Sequence, residues 1–153
     1  MLAVSNSSPL IALAAIDQLD LLPALFQSVL IPLAVAAEIA PSIPTRPRWL
    51  QIRLLAGSRP AVVVRRTLGA GETEALALAL EVRPDRLILD DLPARRMADG
   101  LGLLIIGTLG VLLAAKRRGL VPSIRPVLDR LVGESFFISA DLFQELSAGE
   151  VER

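Results

Sequence analysis

Cysteine and histidine are both absent from this chain of 153 residues. The lack of cysteine excludes disulfide bonds and thiolate sites. The lack of histidine excludes a Ser-His-Asp triad, an imidazole general base and a histidine-bound zinc site. Any catalysis must therefore use carboxylates, hydroxyls, arginines or the single lysine, Lys116. Carboxylate oxygens are hard ligands, which suit Mg²⁺ or Mn²⁺.

Aromatic residues are scarce, at 3%, whereas apolar residues make up 53% of the chain. Leucine, isoleucine, valine and alanine must therefore build the core, and the chain is long enough for one domain with a substantial core. We expect a single domain over residues 1–148, followed by a frayed polar tail over residues 149–153.

Long uninterrupted hydrophobic runs are also missing. The longest charge-free runs are residues 21–37, which contain Pro23 and Pro32, and residues 100–115, which start at Gly100 and contain Gly102, Gly107 and Gly110. A membrane span needs roughly 20 apolar residues, and both runs fit buried elements of an α/β domain better. No basic segment precedes the first apolar run, so we expect no signal peptide, no membrane association and a cytoplasmic protein.

The formal net charge is zero, which provides no overall field to attract nucleic acid. The arginines are nevertheless unevenly spread, because residues 46–66 carry six of them and no acid. This segment is either an ordinary solvated surface or a patch that faces a polyanion, and both interpretations stay open. The arginines are Arg46, Arg48, Arg53, Arg59, Arg65 and Arg66.

Short apolar segments alternate with helical segments along the whole chain. The apolar segments lack a polar residue at every second position, which is typical of strands covered on both faces. The alternation predicts an α/β fold, a three-layer α/β/α sandwich with a central, mainly parallel sheet. The predicted strands are residues 2–5, 28–31, 61–64, 87–89 and 103–106, with 136–138 as a last edge strand. The predicted helices include residues 17–26 and 49–56.

Residues 71–91 place acidic side chains at both ends of one helix–strand unit. Glu72 and Glu74 follow a glycine at the start of the helix, and Asp90 and Asp91 follow a buried strand. Sites in parallel α/β sheets form at the carboxyl ends of strands, and clustered carboxylates need a cation or bound protons. Each pair also has a structural alternative, because acids favour a helix N-terminus and cap the helix that follows.

Two further polar residues lie in apolar surroundings. Glu38 lies on a predicted apolar helix, residues 33–39, so it is either at the exposed end of the helix or directed into a polar site. Asn6 ends the first predicted strand, where its amide oxygen could bind a cation or orient a water molecule. Capping of the helix after it is an equally good alternative for Asn6.

Four segments together resemble the PIN-like nuclease domains, in particular the toxin-like branch found in prokaryotic toxin–antitoxin loci. The resemblance covers about residues 2–146. The segments are Val4-Ser5-Asn6-Ser7-Ser8-Pro9-Leu10-Ile11-Ala12-Leu13, Gly71-Glu72-Thr73-Glu74-Ala75, Leu89-Asp90-Asp91 with Ala94-Arg95-Arg96, and Gly107-Thr108-Leu109-Gly110.

This resemblance implies acids that gather at the carboxyl ends of parallel strands and bind one or two Mg²⁺ or Mn²⁺ ions for phosphodiester hydrolysis. By position, the implied metal ligands are Asn6, Glu38, Glu72, Glu74, Asp90 and Asp91, and the implied catalytic residues are Glu38, Glu72, Asp90 and Asp91. The implied substrate contacts are Ser7, Ser8, Arg95, Arg96 and Thr108. The implied partners are RNA or another nucleic acid, a small antitoxin protein and a second copy of the chain.

One position departs from the family pattern, because Asn6 stands where the first acid is usually an aspartate. An amide oxygen is neutral and a weaker ligand, so the site lacks one charge. We therefore carry two hypotheses forward. The first is a metal-dependent ribonuclease that acts as the toxin of a toxin–antitoxin pair. The second is a weak or inactive PIN-like module that binds nucleic acid or protein.

Overall fold

The computed structural model describes residues 1–57 and 68–151, which form five strands and eight helices. The strands are Leu2–Ser5 (β1), Ser28–Ile31 (β2), Leu50–Ile52 (β3), Arg86–Ile88 (β4) and Ile105–Ile106 (β5). The helices are Ser7–Ala15 (α1), Leu21–Leu25 (α2), Leu33–Ile39 (α3), Ala70–Val82 (α4), Leu92–Gly100 (α5), Thr108–Arg117 (α6), Arg125–Gly133 (α7) and Ala140–Val151 (α8).

The five described strands form one sheet in the order β3-β2-β1-β4-β5, and every pairing is parallel. From β1 the chain moves outward through β2 to β3, and it then returns to the other side of β1 for β4 and β5. The strand order therefore reverses between β1 and β4. In open α/β sheets, ligands bind outside the carboxyl ends of the strands at such a reversal. The predicted fold class, a parallel sheet flanked by helices, is confirmed.

The core is aliphatic, as the composition predicts. The apolar side chains of the central strands are fully buried, for example Val4 in β1 and Leu87 in β4. Residues 75–79 of α4 are all at most 1% exposed, so this helix is buried on every side rather than on one stripe. Three of these five residues are small alanines, which allow close helix packing. No helix in the described ranges is long and apolar enough to span a membrane.

The prediction of a helix over residues 49–56 is wrong, because Leu50–Ile52 forms the edge strand β3. The strand pairs with β2 in the register Leu50 to Val29, and the Arg53 amide continues the ladder to the carbonyl of Ile31. Pairing with β2 thus satisfies the backbone hydrogen-bonding groups of this segment. A short helix would have to satisfy them within itself. Helix propensity is a weak preference that such tertiary pairing overrides.

Two other predicted elements also differ. Residues 136–138 form no strand, and β5, the neighbour such a strand would need, is only two residues long. The predicted helix over residues 17–26 is reduced to α2, because Asp17 adopts a left-handed backbone with φ of 57° that interrupts helical geometry. The predicted strand at residues 61–64 lies outside the described residues, as do Arg59, Arg65 and Arg66.

Candidate functional site

Three strand ends meet at the carboxyl edge of the sheet, on both sides of the order reversal. The backbone N–H of Asn6 donates to the carbonyl of Ile88 at 3.0 Å, which ties the end of β1 to the end of β4. The Leu89 amide donates to the carbonyl of Ile106 at 3.0 Å, which ties the end of β4 to the end of β5. These bonds bring Asn6, Asp90 and the start of α6 to the same edge.

Asp90 is held by both donors of one residue. Its Oδ1 accepts the backbone N–H of Thr108 at 2.8 Å, and its Oδ2 accepts the Thr108 hydroxyl. Thr108 is fully buried and is the first residue of α6, so the carboxylate lies at the positive end of a ten-residue helix. A Cβ on Gly107 would lie 2.7 Å from Oδ1, so only glycine leaves room for this approach. Asp90 is therefore fixed in position.

Arg95 reaches the same small space from α5. Its Nη1 would lie 3.1 Å from a Cβ on Gly107, the position that also faces the Asp90 carboxylate. Arg96, next in the chain, is exposed on α5. The structure thus separates the two arginines, and Arg95 is the one that a phosphate group at the sheet edge could meet.

Glu38 is held between the N-termini of two helices. Its Oε1 accepts the Ser7 hydroxyl of α1 at 2.7 Å, and its Oε2 accepts the Gly71 amide of α4 at 3.3 Å. A Cβ on Gly71 would come within 2.9 Å of the Glu38 carboxyl carbon and closer still to Oε1. Glycine inside a helix costs roughly 0.5–1 kcal/mol relative to alanine, and here it makes room for a carboxylate.

The side-chain amide of Asn6 is buried without a partner among the described residues. The residue is 1% exposed, and neither Oδ1 nor Nδ2 has a hydrogen-bond partner among the described residues. Asn6 occupies the N-cap position of α1 but its side chain makes no capping bond, so the capping alternative is wrong. An unsatisfied buried polar group costs about 1–3 kcal/mol and calls for a specific explanation.

Two of the other acids predicted at the site, Glu74 and Asp91, have hydrogen-bond partners elsewhere. Glu74 Oε1 accepts the Ala34 amide at 3.1 Å, which supports the start of α3. Asp91 caps α5, because its Oδ2 accepts the Ala94 amide at 3.1 Å. The Glu72 carboxylate turns back over its own helix, with Oε2 2.7 Å from the position that a Cβ on the preceding N-cap glycine would take.

Within residues 1–57 and 68–151, no three acidic side chains gather closely enough to hold one metal ion. The structure thus does not bring Glu38, Glu72, Asp90 and Asp91 into one cluster. Ser8 is exposed on α1, whereas Ser7 is buried and points to Glu38. The described arginines of the basic window, Arg46, Arg48 and Arg53, are exposed.

The oxygen atoms of Asn6, Glu38 and Asp90 fit a hard cation. Asn6 Oδ1 and the carboxylates of Glu38 and Asp90 are oxygen ligands of the kind that Mg²⁺ and Mn²⁺ prefer. A carboxylate has lone pairs left after accepting two hydrogen bonds. The donors that hold these carboxylates, Ser7, Gly71 and Thr108, would act as the outer partners that orient metal ligands.

Sequence reasoning did not identify the role of the two glycines, Gly71 and Gly107. Both lie in the quoted segments, yet only the structure shows that each faces a carboxylate. For Gly71 the sequence does contain a signal, because a glycine stands in the first turn of an alanine-rich helix. Alanine would be the better residue there unless space is needed.

A doubly wound parallel α/β domain with polar side chains at its switch point defines the general class of this protein. Within that class, the chain belongs to the PIN domain family, because the family model DUF3368, a PIN domain, matches residues 2–150.

A similar solved structure is a PilT N-terminus domain protein, SSO1118, from the hyperthermophilic archaeon Sulfolobus solfataricus P2. It aligns with a TM-score of 0.55 at 18% identity, over 75% of this chain and 93% of that chain. At this identity the likeness concerns the fold alone. No curated protein sequence matches this chain significantly.

Proposed function

We propose that this protein is a metal-dependent ribonuclease of the PIN type. The observation that carries the proposal is Asn6, whose buried amide has no partner among the described residues at the end of the central strand. A cation ligated by Oδ1 would remove part of that cost. Oxygen ligands without histidine or cysteine favour Mg²⁺ or Mn²⁺.

Asn6, Glu38 and Asp90 would hold the ion. A bound divalent cation supplies Lewis-acid stabilisation for the charge that builds up on a phosphodiester during hydrolysis. Thr108 keeps both oxygens of Asp90 in place, and Ser7 keeps Glu38 in place. These bonds pre-orient the ligands before substrate arrives, which lowers the reorganisation needed during reaction.

Arg95 would bind a phosphate of the substrate beside Asp90. A guanidinium presents a planar set of donors that matches phosphate oxygens, and its charge does not depend on pH in the physiological range. The exposed Arg46, Arg48 and Arg53 would add sequence-independent contacts to the phosphate backbone. Glu72, Glu74 and Asp91 stay predictions as ligands, and their hydrogen bonds or positions support structural roles instead.

The test uses matched pairs of neighbouring or similar acids. Cleavage of labelled RNA with Mn²⁺ should fall at least 100-fold in Asp90→Asn, whereas Asp91→Asn, which preserves the cap of α5, should retain activity. Glu38→Gln should lose activity in the same way, whereas Glu74→Gln should not. An assay in which purified protein leaves RNA intact with both ions, or in which all four variants behave alike, would contradict the proposal.

The alternative is a weak or inactive module that binds nucleic acid or protein. One observation favours it: in the described part of the chain, no three acids form a group around one ion. Calorimetric titration with Mn²⁺ separates the two functions. The ribonuclease requires heat of binding and a metal-dependent rise in melting temperature, and both should be lost in Asp90→Asn. The inactive module requires neither.

Membership of the PIN family also supports the wider proposal of a toxin in a toxin–antitoxin pair. In that role the chain would be cytoplasmic, would form a homodimer and would be inhibited by a small antitoxin protein. Exposed apolar side chains such as Leu33, Leu54 and Leu92 could contribute to these contacts. Light scattering would give the oligomeric state, and growth arrest on expression that requires Asp90 would support the toxin role.

A further inference from the structure

A second feature lies directly beside the candidate site. A cavity of about 500 Å³ opens from Asp90 and Arg95 and continues along the edge strand β5 to the C-terminal segment. Its polar end is formed by the two charged residues, and its walls are apolar, with Phe136 and Phe137 on the C-terminal side. The size lies within the range of small-molecule and cofactor pockets.

The two aromatic side chains of this cavity are unusual in this protein. The chain has only four phenylalanines, one tryptophan and no tyrosine, yet two phenylalanines stand side by side here. Phe137 is 86% exposed, the most exposed of the large apolar side chains described. Leaving a phenylalanine in water forgoes roughly 1.5–3 kcal/mol of burial free energy, and this ring adjoins the apolar wall of the cavity, so the two together form a surface that a partner could cover.

Hydrogen bonds anchor the segment that carries this ring on both sides. Before it, the Phe136 amide donates to the Leu131 carbonyl at 3.0 Å, which closes the end of α7. After it, Ser139 Oγ accepts the Leu142 amide at 3.2 Å, which starts α8. The segment that carries Phe137 is therefore anchored at its two ends, and the ring is presented to solvent by an anchored connection.

We propose that this cavity binds an unpaired nucleobase of the substrate, adjacent to the phosphate that Arg95 would bind beside Asp90; this inference rests on the proposed ribonuclease function. Every base has an aromatic face that stacks on phenylalanine, while the sugar–phosphate chain beside it requires a cation. The cavity has this combination, with aromatic rings on one side and Arg95 at the end that meets the candidate site. A purely apolar partner would make no use of the charged end of the cavity.

A subsite that stacks an unpaired base requires a single-stranded substrate. A base inside a duplex is stacked on both faces and cannot reach Phe137 without being extruded, which costs a few kcal/mol. The protein should therefore bind a single strand in preference to a duplex of the same sequence. The preference arises from stacking and not from hydrogen bonds to base edges, so it should tolerate different bases.

The experiment measures binding and not cleavage, in EDTA, with a fluorescein-labelled ten-nucleotide RNA and its duplex. Phe137→Leu should weaken single-strand binding by about 5- to 150-fold, the range for loss of one base–aromatic stack. Phe137→Trp should restore it. Phe143→Leu, the same change on α8 outside the cavity lining, is the matched control and should bind within about twofold of the unchanged protein.

A series of the same RNA with one abasic position at a time locates the base. One abasic position should weaken binding as much as Phe137→Leu does, and combining the two should cause no further loss, because both remove the same contact. Equal affinity of Phe137→Leu and the unchanged protein, equal affinity for single strand and duplex, or no binding of either would overturn the subsite. The subsite would also be overturned if light scattering gave a smaller particle mass for Phe137→Leu than for the unchanged protein. That result would assign the ring to a contact between copies of the chain.

The two proposals fail separately. Cleavage with Mn²⁺ that is lost in Asp90→Asn supports the ribonuclease even when Phe137→Leu binds normally, and then only the base subsite is wrong. Metal-free binding that depends on Phe137, together with no cleavage under any ion, supports the subsite on a binding module and contradicts the ribonuclease.

Discussion

Replacement of Asn6 by leucine should make the metal-free protein more stable. Asn6 is 1% exposed and both of its amide atoms lack a partner among the described residues. An apolar side chain of similar shape removes the desolvation cost of the amide without leaving another group unpaired, since no described donor or acceptor relies on it.

The magnitude follows from the cost of one unsatisfied buried amide, about 1–3 kcal/mol. For a chain of this size, 1 kcal/mol shifts the melting temperature by about 2–4 °C, so Asn6→Leu should melt roughly 2–12 °C higher without metal. Urea unfolding monitored by circular dichroism gives the same quantity as a free energy, provided the m-value is unchanged. A gain in unfolding free energy would mean that Asn6 is kept for function at a cost in stability, as is common at functional sites.

The same substitution should remove most of the response to metal. A ligand at 100 times its dissociation constant stabilises the native state by about 2.7 kcal/mol, which the unchanged protein should show with Mn²⁺. Asn6→Leu should lose most of this increment, whereas Asn6→Asp should lower the metal-free stability and enlarge the increment, because it buries a charge that a cation neutralises. A metal-free Asn6→Leu destabilised by more than about 1 kcal/mol would refute the reasoning, since the amide would then have favourable partners.

Three further substitutions test the supports of the site. Gly71→Ala should keep or slightly raise stability, because alanine favours the helix, while activity falls about 100-fold as the new Cβ displaces Glu38. Thr108→Val should lower Mn²⁺ affinity about 10- to 100-fold in calorimetry, because Asp90 loses its hydroxyl donor. Asp91→Ala should reduce the free energy of unfolding by about 0.5–2 kcal/mol, through loss of the cap, without reducing activity of the folded enzyme.

A specific result would contradict each of these three predictions. Full activity of Gly71→Ala would show that the position of Glu38 is unimportant, and unchanged Mn²⁺ affinity of Thr108→Val would remove Asp90 from the ligand set. Activity lost in Asp91→Ala below its melting temperature would assign Asp91 to the site instead of the helix cap. Thr73→Val is the control for Thr108→Val. It also removes a threonine hydroxyl, which donates to the Gly69 carbonyl, and it should leave Mn²⁺ affinity unchanged.

The sequence alone determined the fold class and the types of chemistry available. Apolar segments of strand length alternating with helices require a sheet covered on both faces, and this follows from local pattern. The absence of histidine and cysteine restricts any metal to oxygen ligands, which is a property of composition. The positions of Asn6, Asp90 and Thr108 at strand ends also follow from the pattern, because parallel strands bring their carboxyl ends to one edge.

Only the tertiary structure decided which polar residues have free oxygens and which are already used. Asp90 and Asp91 are neighbours in sequence, yet one accepts bonds from α6 and the other caps α5. Glu74 lies two residues from Glu72 but is bound by the start of α3. The edge strand β3 was decided the same way, since its hydrogen bonds come from β2. Such assignments depend on donors that are distant along the chain, and no local pattern encodes where those donors will lie.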